Sequence, residues 1–220
     1  MKLNKYIDHT LLAAKATDKE IVAICEEAKK YDFATVCVNP GRIGLAKETL
    51  KGSDVGITTV VGFPLGATTS ESKAFEAKDS ISKGATEIDM VANIGEIKSG
   101  NWDVVLKDIK TVKTAIGKTV LKVILETVLL TNEEIVKACE ICIDAKAEFV
   151  KTSTGFSTGG ATFEVVKLMK DTVGDRALIK AAGGVANVDD AIKMIELGAN
   201  RIGTSRGVMI MEGKSSNSGY

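Results

Sequence analysis

Proline is scarce, with two residues in 220, so no proline-rich linker divides the chain. Histidine is limited to His9, and Cys139-Glu140-Ile141-Cys142 is the single C-x-x-C. A zinc site therefore has little to build on. Two cysteines three residues apart within a helical pattern share one face, which is how a packed core uses them. No apolar run approaches the roughly 18 residues a membrane span requires. Charge of either sign is not in excess: 29 Lys and Arg face 29 Asp and Glu. That balance gives no long-range attraction to nucleic acid or to an anionic membrane. A small phosphate ligand stays open, because it needs only local charge and backbone amides. The opening Met-Lys-Leu-Asn-Lys-Tyr has no apolar segment of a secretory signal behind it. Cys25, Cys37, Cys139 and Cys142 are then expected to be reduced thiols, and the cytoplasm is the expected compartment.

What is present is an ordinary globular composition, 45% hydrophobic and 26% charged, in a length that suits one sizeable core. Eight short apolar or β-branched runs, at 6–10, 35–38, 56–61, 87–91, 120–126, 149–152, 178–181 and 201–203, read as strands. Between them lie amphipathic stretches such as 19–31 and 133–145. Thr17 and Thr131 look like helix N-caps, and Gly84 and Gly198 like helix stops. Four joints share a pattern: Asp32-Phe33-Ala34, Gly84-Ala85-Thr86, Lys146-Ala147-Glu148 and Gly198-Ala199-Asn200 each precede an apolar strand. Repeated βα units with buried strands imply a parallel sheet. Eight of them predict an α/β fold, a single-domain (β/α)8 TIM barrel over 1–213, followed by a flexible Ser-, Asn- and Gly-rich tail at 214–220. An open doubly wound sheet is the alternative.

Active sites of such barrels lie at the C-terminal ends of the strands. Lys151 and Lys180 end the sixth and seventh strand candidates. Burying an unpaired ammonium is costly, so two strand-end lysines call for an explanation. Two neighbouring ammoniums disfavour each other's charge and can free one amine as a nucleophile. The competing reading is that each lysine simply pairs with a carboxylate inside the barrel. Asp89 on the fourth strand should reach the level of Lys151, either as a proton shuttle or as a structural ion pair. Asp8 is a weaker member of the same network. Lys122 and Glu126 read as an interior pair supporting it. Gly183-Gly184 after strand seven and Gly203-Thr204-Ser205 after strand eight sit where such barrels hold phosphate. Gly155 and Gly159-Gly160 extend that rim. Cys37 reads as a buried thiol, and His9 receives no role.

At these residues the chain resembles deoxyribose-phosphate aldolases. The match runs through Asp8-His9-Thr10-Leu11-Leu12, Val36-Cys37-Val38-Asn39-Pro40, Gly62-Phe63-Pro64-Leu65-Gly66 and Glu87-Ile88-Asp89-Met90-Val91. It continues through Lys122 to Thr127, Lys151-Thr152-Ser153-Thr154-Gly155, Lys180-Ala181-Ala182-Gly183-Gly184 and Gly198 to Ser205, and so covers almost the whole chain. The resemblance implies a reversible aldol reaction that converts 2-deoxyribose 5-phosphate to acetaldehyde and glyceraldehyde 3-phosphate. Lys151 would form the Schiff base, Lys180 would lower its pKa, and Asp89 with Lys180 and a water would move protons. A covalent lysine imine then takes the place of any cofactor, and no metal is expected. Candidate substrate and phosphate contacts are Asp8, Thr152, Gly155, Gly183, Gly184, Gly203 and Ser205. Tyr220, the last residue, matches a C-terminal tyrosine implicated in proton transfer.

Two positions depart from the family pattern. Phe156 stands where some relatives carry lysine, and Ala186 follows Val185 where many carry arginine. Both remove a cation from the phosphate side and leave backbone amides, Ser205 and Arg206. The expected partners are small phosphosugar and aldehyde substrates, with neither nucleic acid nor membrane. A homodimer stays open, since the sequence does not set the oligomeric state. Another phosphosugar enzyme on the same barrel, or a phosphate-ligand sensor, are the competing functions.

Overall fold

A computed structural model describes residues 2–214. Eight parallel strands close in sequence order, with the first hydrogen-bonded to the eighth. They are β1 (Ile7–Leu11), β2 (Thr35–Val38), β3 (Gly56–Val61), β4 (Glu87–Val91), β5 (Val120–Ile124), β6 (Phe149–Lys151), β7 (Leu178–Ala182) and β8 (Arg201–Thr204). The helices among the described residues are α1 (Asp18–Tyr31), α2 (Ile43–Thr49), α3 (Ser70–Lys83), α4 (Ile94–Lys98), α5 (Trp102–Ile116), α6 (Asn132–Asp144), α7 (Phe163–Val173), α8 (Val188–Glu196) and α9 (Gly207–Met211). The closed barrel replaces the open-sheet alternative. Strand bounds match the sequence reading to within two residues. The predicted tail at 214–220 lies outside the described residues except for Lys214.

Thr17 and Thr131 each close a capping box, with Glu20 and Glu134 returning to the cap backbone. Such caps contribute about 1 kcal/mol each to their helices. The repeated joints share one geometry. At Asp32, Gly84, Lys146 and Gly198 the chain turns through positive φ, from 54° to 122°. The next residue's N–H donates five residues back into the helix, as in Phe33 to Ala28, Ala85 to Ser80, Ala147 to Cys142 and Ala199 to Met194. The following N–H then donates to the preceding strand: Ala34 to Ile7, Thr86 to Ile57, Glu148 to Leu121 and Asn200 to Ile179. Each joint is therefore a Schellman terminator that delivers the chain into the barrel at a fixed register.

Side-chain alternation divides the strands chemically. Ile88, Met90, Leu121, Val123, Val150, Ile179, Ala181 and Ile202 point outward and join the apolar layer beneath the helices. Asp8, Asp89, Lys122, Lys151 and Lys180 have the opposite parity, and all are buried. The apolar core thus lies between barrel and helices, and the barrel interior carries charge. A second buried pair sits in the helical layer, where Lys73 of α3 donates to Asp108 of α5 at 2.6 Å.

Candidate active site

Lys151 and Lys180 are register partners on β6 and β7. Their alignment brings both amines onto one carboxylate: Lys151 Nζ and Lys180 Nζ lie 2.7 and 2.8 Å from Asp89 Oδ2. Lys122 Nζ takes the other oxygen, Oδ1, at 2.9 Å. Lys180 also reaches Asp8 Oδ2 at 2.6 Å, and Lys122 reaches Glu87 at 2.6 Å. Arg201 of β8 donates to both Asp8 and Glu87, which closes the network from below. Three carboxylates, Asp8, Glu87 and Asp89, thus face four cations, Lys122, Lys151, Lys180 and Arg201.

Of these four cations, Lys151 is the one that pairs with a single carboxylate. Burial pushes its pKa down; Asp89 opposes the shift, and the nearby Lys180 ammonium adds to it. Lys180 behaves oppositely. Burial also disfavours its charge, but Asp8 and Asp89 outweigh that and hold it above the ordinary lysine range. Burial likewise opposes charge on Asp8 and Asp89, and the surrounding lysines keep both carboxyls below their usual range. The two lysines are therefore not each locked to a separate carboxylate. They share Asp89, and their environments drive their pKa values apart.

Lys151 also opens onto space. A cavity of about 530 Å³ at the C-terminal face is lined by Lys151, Thr10–Ala13, Thr154, the loop after β7 and the start of the loop after β8. Gly155, Gly183, Gly184, Gly203 and Ser205 all lie on its wall. Gly183 and Gly184 adopt φ of 73° and 77°, and a side chain on Gly160 would strike the Gly183 carbonyl carbon at 2.5 Å. The rim therefore needs glycine there. Gly203 leaves room for the Lys180 stem, whose Cε would be 3.0 Å from an added Cβ. Asp8, Asp89 and Lys180 lie beneath the cavity rather than on its wall. Thr152 is buried between strands, where its hydroxyl donates to Ala182 O and accepts from Ala182 N–H, both at 3.1 Å. Tyr220 lies outside the described residues.

The pairing of Lys122 with Glu126 is corrected. β5 ends at Ile124, and Glu126 turns into the left-handed region at φ 53°. Its carboxylate swings over to the loop after β6 and accepts from Thr154 N–H at 3.3 Å and from the Thr154 hydroxyl. Lys122 spends its donors on Asp89, Glu87 and Thr58 instead. Arg201 and Glu87 escaped the sequence reading. Strand parity could have found them, since each sits two residues before an inward position, Gly203 and Asp89. Cys37 is buried, and burial raises its pKa. Cys139 and Cys142 pack on the inner face of α6, where burial pushes the Cys139 thiol up to about 12. His9 faces outward beneath α1, with Nε2 2.7 Å from Glu27 and its ring edge-on to Phe33.

A family model described as DeoC/LacD family aldolase matches residues 2–212. The chain belongs to the DeoC/LacD aldolase family. Among this family's members it is 61% identical to deoxyribose-phosphate aldolase 1 of Mesoplasma florum and 58% identical to the Streptococcus sanguinis deoxyribose-phosphate aldolase. Both alignments cover the full length of both chains. Two solved structures extend the likeness to shape. The aldolase QR15 superimposes with a TM-score of 0.92 at 41% identity, over 96% of this chain and 94% of its own. A tetrameric deoxyribose phosphate aldolase from Aeropyrum pernix superimposes at 0.84 with 31% identity, over 96% and 89%. The charged interior described above is thus the interior of a DeoC/LacD aldolase barrel.

Proposed function

We propose that this chain cleaves 2-deoxyribose 5-phosphate reversibly to acetaldehyde and glyceraldehyde 3-phosphate through an imine on Lys151. The observation that carries the reading is the asymmetric lysine pair: one amine faces a cavity with its charge disfavoured, and its neighbour beneath is held cationic. Lys151 adds to the open-chain aldehyde, and loss of water leaves an iminium. A base takes the C3 hydroxyl proton, the C2–C3 bond breaks, and its electrons flow into the iminium to give an enamine. Glyceraldehyde 3-phosphate departs. Protonation at C2 and hydrolysis release acetaldehyde and restore the amine. Asp89 and Lys180, through one water, carry the protons. The phosphate rests on the rim of Gly155, Gly183, Gly184, Gly203 and Ser205, with backbone amides doing most of the binding.

The covalent imine supplies the electron sink, so the reading includes no cofactor. Thr152 supports the β6–β7 edge, and Asp8 holds Lys180 rather than substrate. The cytoplasm suits the buried free thiols, and no helix among the described residues is long and apolar enough to cross a membrane. The test is acetaldehyde release from 2-deoxyribose 5-phosphate in the presence of chelator, run beside a ketose–aldose interconversion assay. Release of acetaldehyde at an enzymatic rate is expected. Interconversion without release, or binding without turnover, contradicts the proposal.

A further inference from the structure

The lower tier of the barrel network contacts neither the cavity nor any atom that reacts. Arg201 bridges Asp8 and Glu87, Glu87 accepts from Lys122, and both tier residues are only 13–15% exposed at the floor of the barrel. Building on the reading of Lys151 as the imine lysine, we infer that Arg201 and Glu87 are positioning residues that set how readily Lys151 gives up its proton. They do so by fixing the charge balance of a closed network that holds one cation more than it has carboxylates.

The wiring supports this. Arg201 occupies Asp8 from below, while Lys180 occupies it from above at 2.6 Å. Asp8 is therefore shared, so Lys180 also leans on Asp89 Oδ2 at 2.8 Å, the same oxygen that Lys151 uses at 2.7 Å. Glu87 draws Lys122 downward at 2.6 Å and takes part of the Lys122 charge away from Asp89. Removing the Arg201 charge leaves three carboxylates for three lysines, and Lys151 then keeps its proton. Removing the Glu87 charge leaves two carboxylates for four cations, and Lys151 loses its proton sooner.

The other groups around Lys151 do not offset these changes. Asp89 faces it from β4, Lys122 from β5, Lys180 from β7 and Asp8 from β1, and all are members of the count. Cys37 on β2 is a buried thiol with a raised pKa, so it stays neutral. β3 presents the uncharged Thr58. Glu126, beyond β5, is turned to Thr154. Arg206 stands on the cavity wall above and is unchanged in every variant below.

The experiment is the pH profile of kcat/KM for 2-deoxyribose 5-phosphate cleavage, whose acid limb reports the free-enzyme pKa of the essential amine. Arg201→Met is expected to move that limb upward by about one pH unit, a roughly tenfold loss on the limb. Glu87→Gln is expected to move it downward by a similar amount. The double variant should return to the wild-type position, and Arg201→Lys, which keeps the charge, should stay there. A residue that merely supports the fold would lower activity at all pH without moving the limb. Limbs that do not move, or that move the same way in both single variants, overturn the inference. It does not depend on Arg201→Met folding, because Glu87→Gln must shift the limb downward and Arg201→Lys must leave it in place. A wild type that releases no acetaldehyde would instead overturn the functional reading.

Discussion

Replacing Asp89 with asparagine separates imine formation from proton transfer. Asp89 accepts from three lysines, at 2.7, 2.8 and 2.9 Å. Two of them have a second carboxylate, Lys180 on Asp8 and Lys122 on Glu87, each at 2.6 Å. Among the described residues, Lys151 has no second carboxylate within ion-pair distance. In Asp89→Asn it can shed its proton instead of remaining a buried unpaired cation. The folding cost should therefore stay below the roughly 3–5 kcal/mol expected for breaking a buried pair. The amine should still condense with acetaldehyde, with its midpoint moved to lower pH. Losing the acid–base partner should lower kcat by about 10²- to 10⁴-fold, or about 3–5 kcal/mol of barrier. Steady-state cleavage gives kcat, and borohydride reduction gives imine formation on the same preparation. A kcat within tenfold of wild type would refute the proton-transfer role. Loss of imine formation in a folded variant would show that Asp89 acts by holding Lys151 in place.

Three further outcomes follow from the same contacts. Lys73→Met should destabilise the fold by about 3–5 kcal/mol in urea unfolding, because it leaves Asp108 buried and unpaired; Lys73→Met/Asp108→Leu should recover most of that loss. Gly160→Ala should raise KM for the phosphosugar more than it lowers kcat, since its Cβ would displace the Gly183-Gly184 backbone of the rim; an unchanged KM removes that rim from substrate binding. Asp8 and Asp89 have folded pKa values held below their unfolded ones. Their stabilisation is complete above the unfolded carboxyl range, near pH 4, and drains away as pH falls through the folded values. Melting temperature should therefore be flat from about pH 7 to 5 and fall steeply below 4, and Asp8→Asn should weaken that acid dependence.

The barrel was legible because its repeat is physical. Each Schellman turn needs a residue that tolerates positive φ followed by a small or apolar one, and that need leaves a visible motif at Asp32, Gly84, Lys146 and Gly198. The paired lysines were legible because charge at the end of an apolar strand is costly without a purpose. The lower tier was not, because Glu87 and Arg201 begin their strands and look like ordinary charged residues at the rim. Glu126 misled because strand alternation was carried past Ile124, where a left-handed turn redirects the side chain. Lys73 and Asp108 were invisible for a related reason: lysine and aspartate on amphipathic helices normally face water, and here each falls within the buried stripe of its own helix.

The most direct measurement is borohydride reduction in the presence of acetaldehyde, followed by peptide mapping of the modified chain. A two-carbon adduct confined to Lys151, absent in Lys151→Arg, is the predicted result. No adduct under conditions that trap an established imine enzyme, or one located on Lys180 or Lys122, would contradict the assignment of Lys151 as the free amine of the barrel.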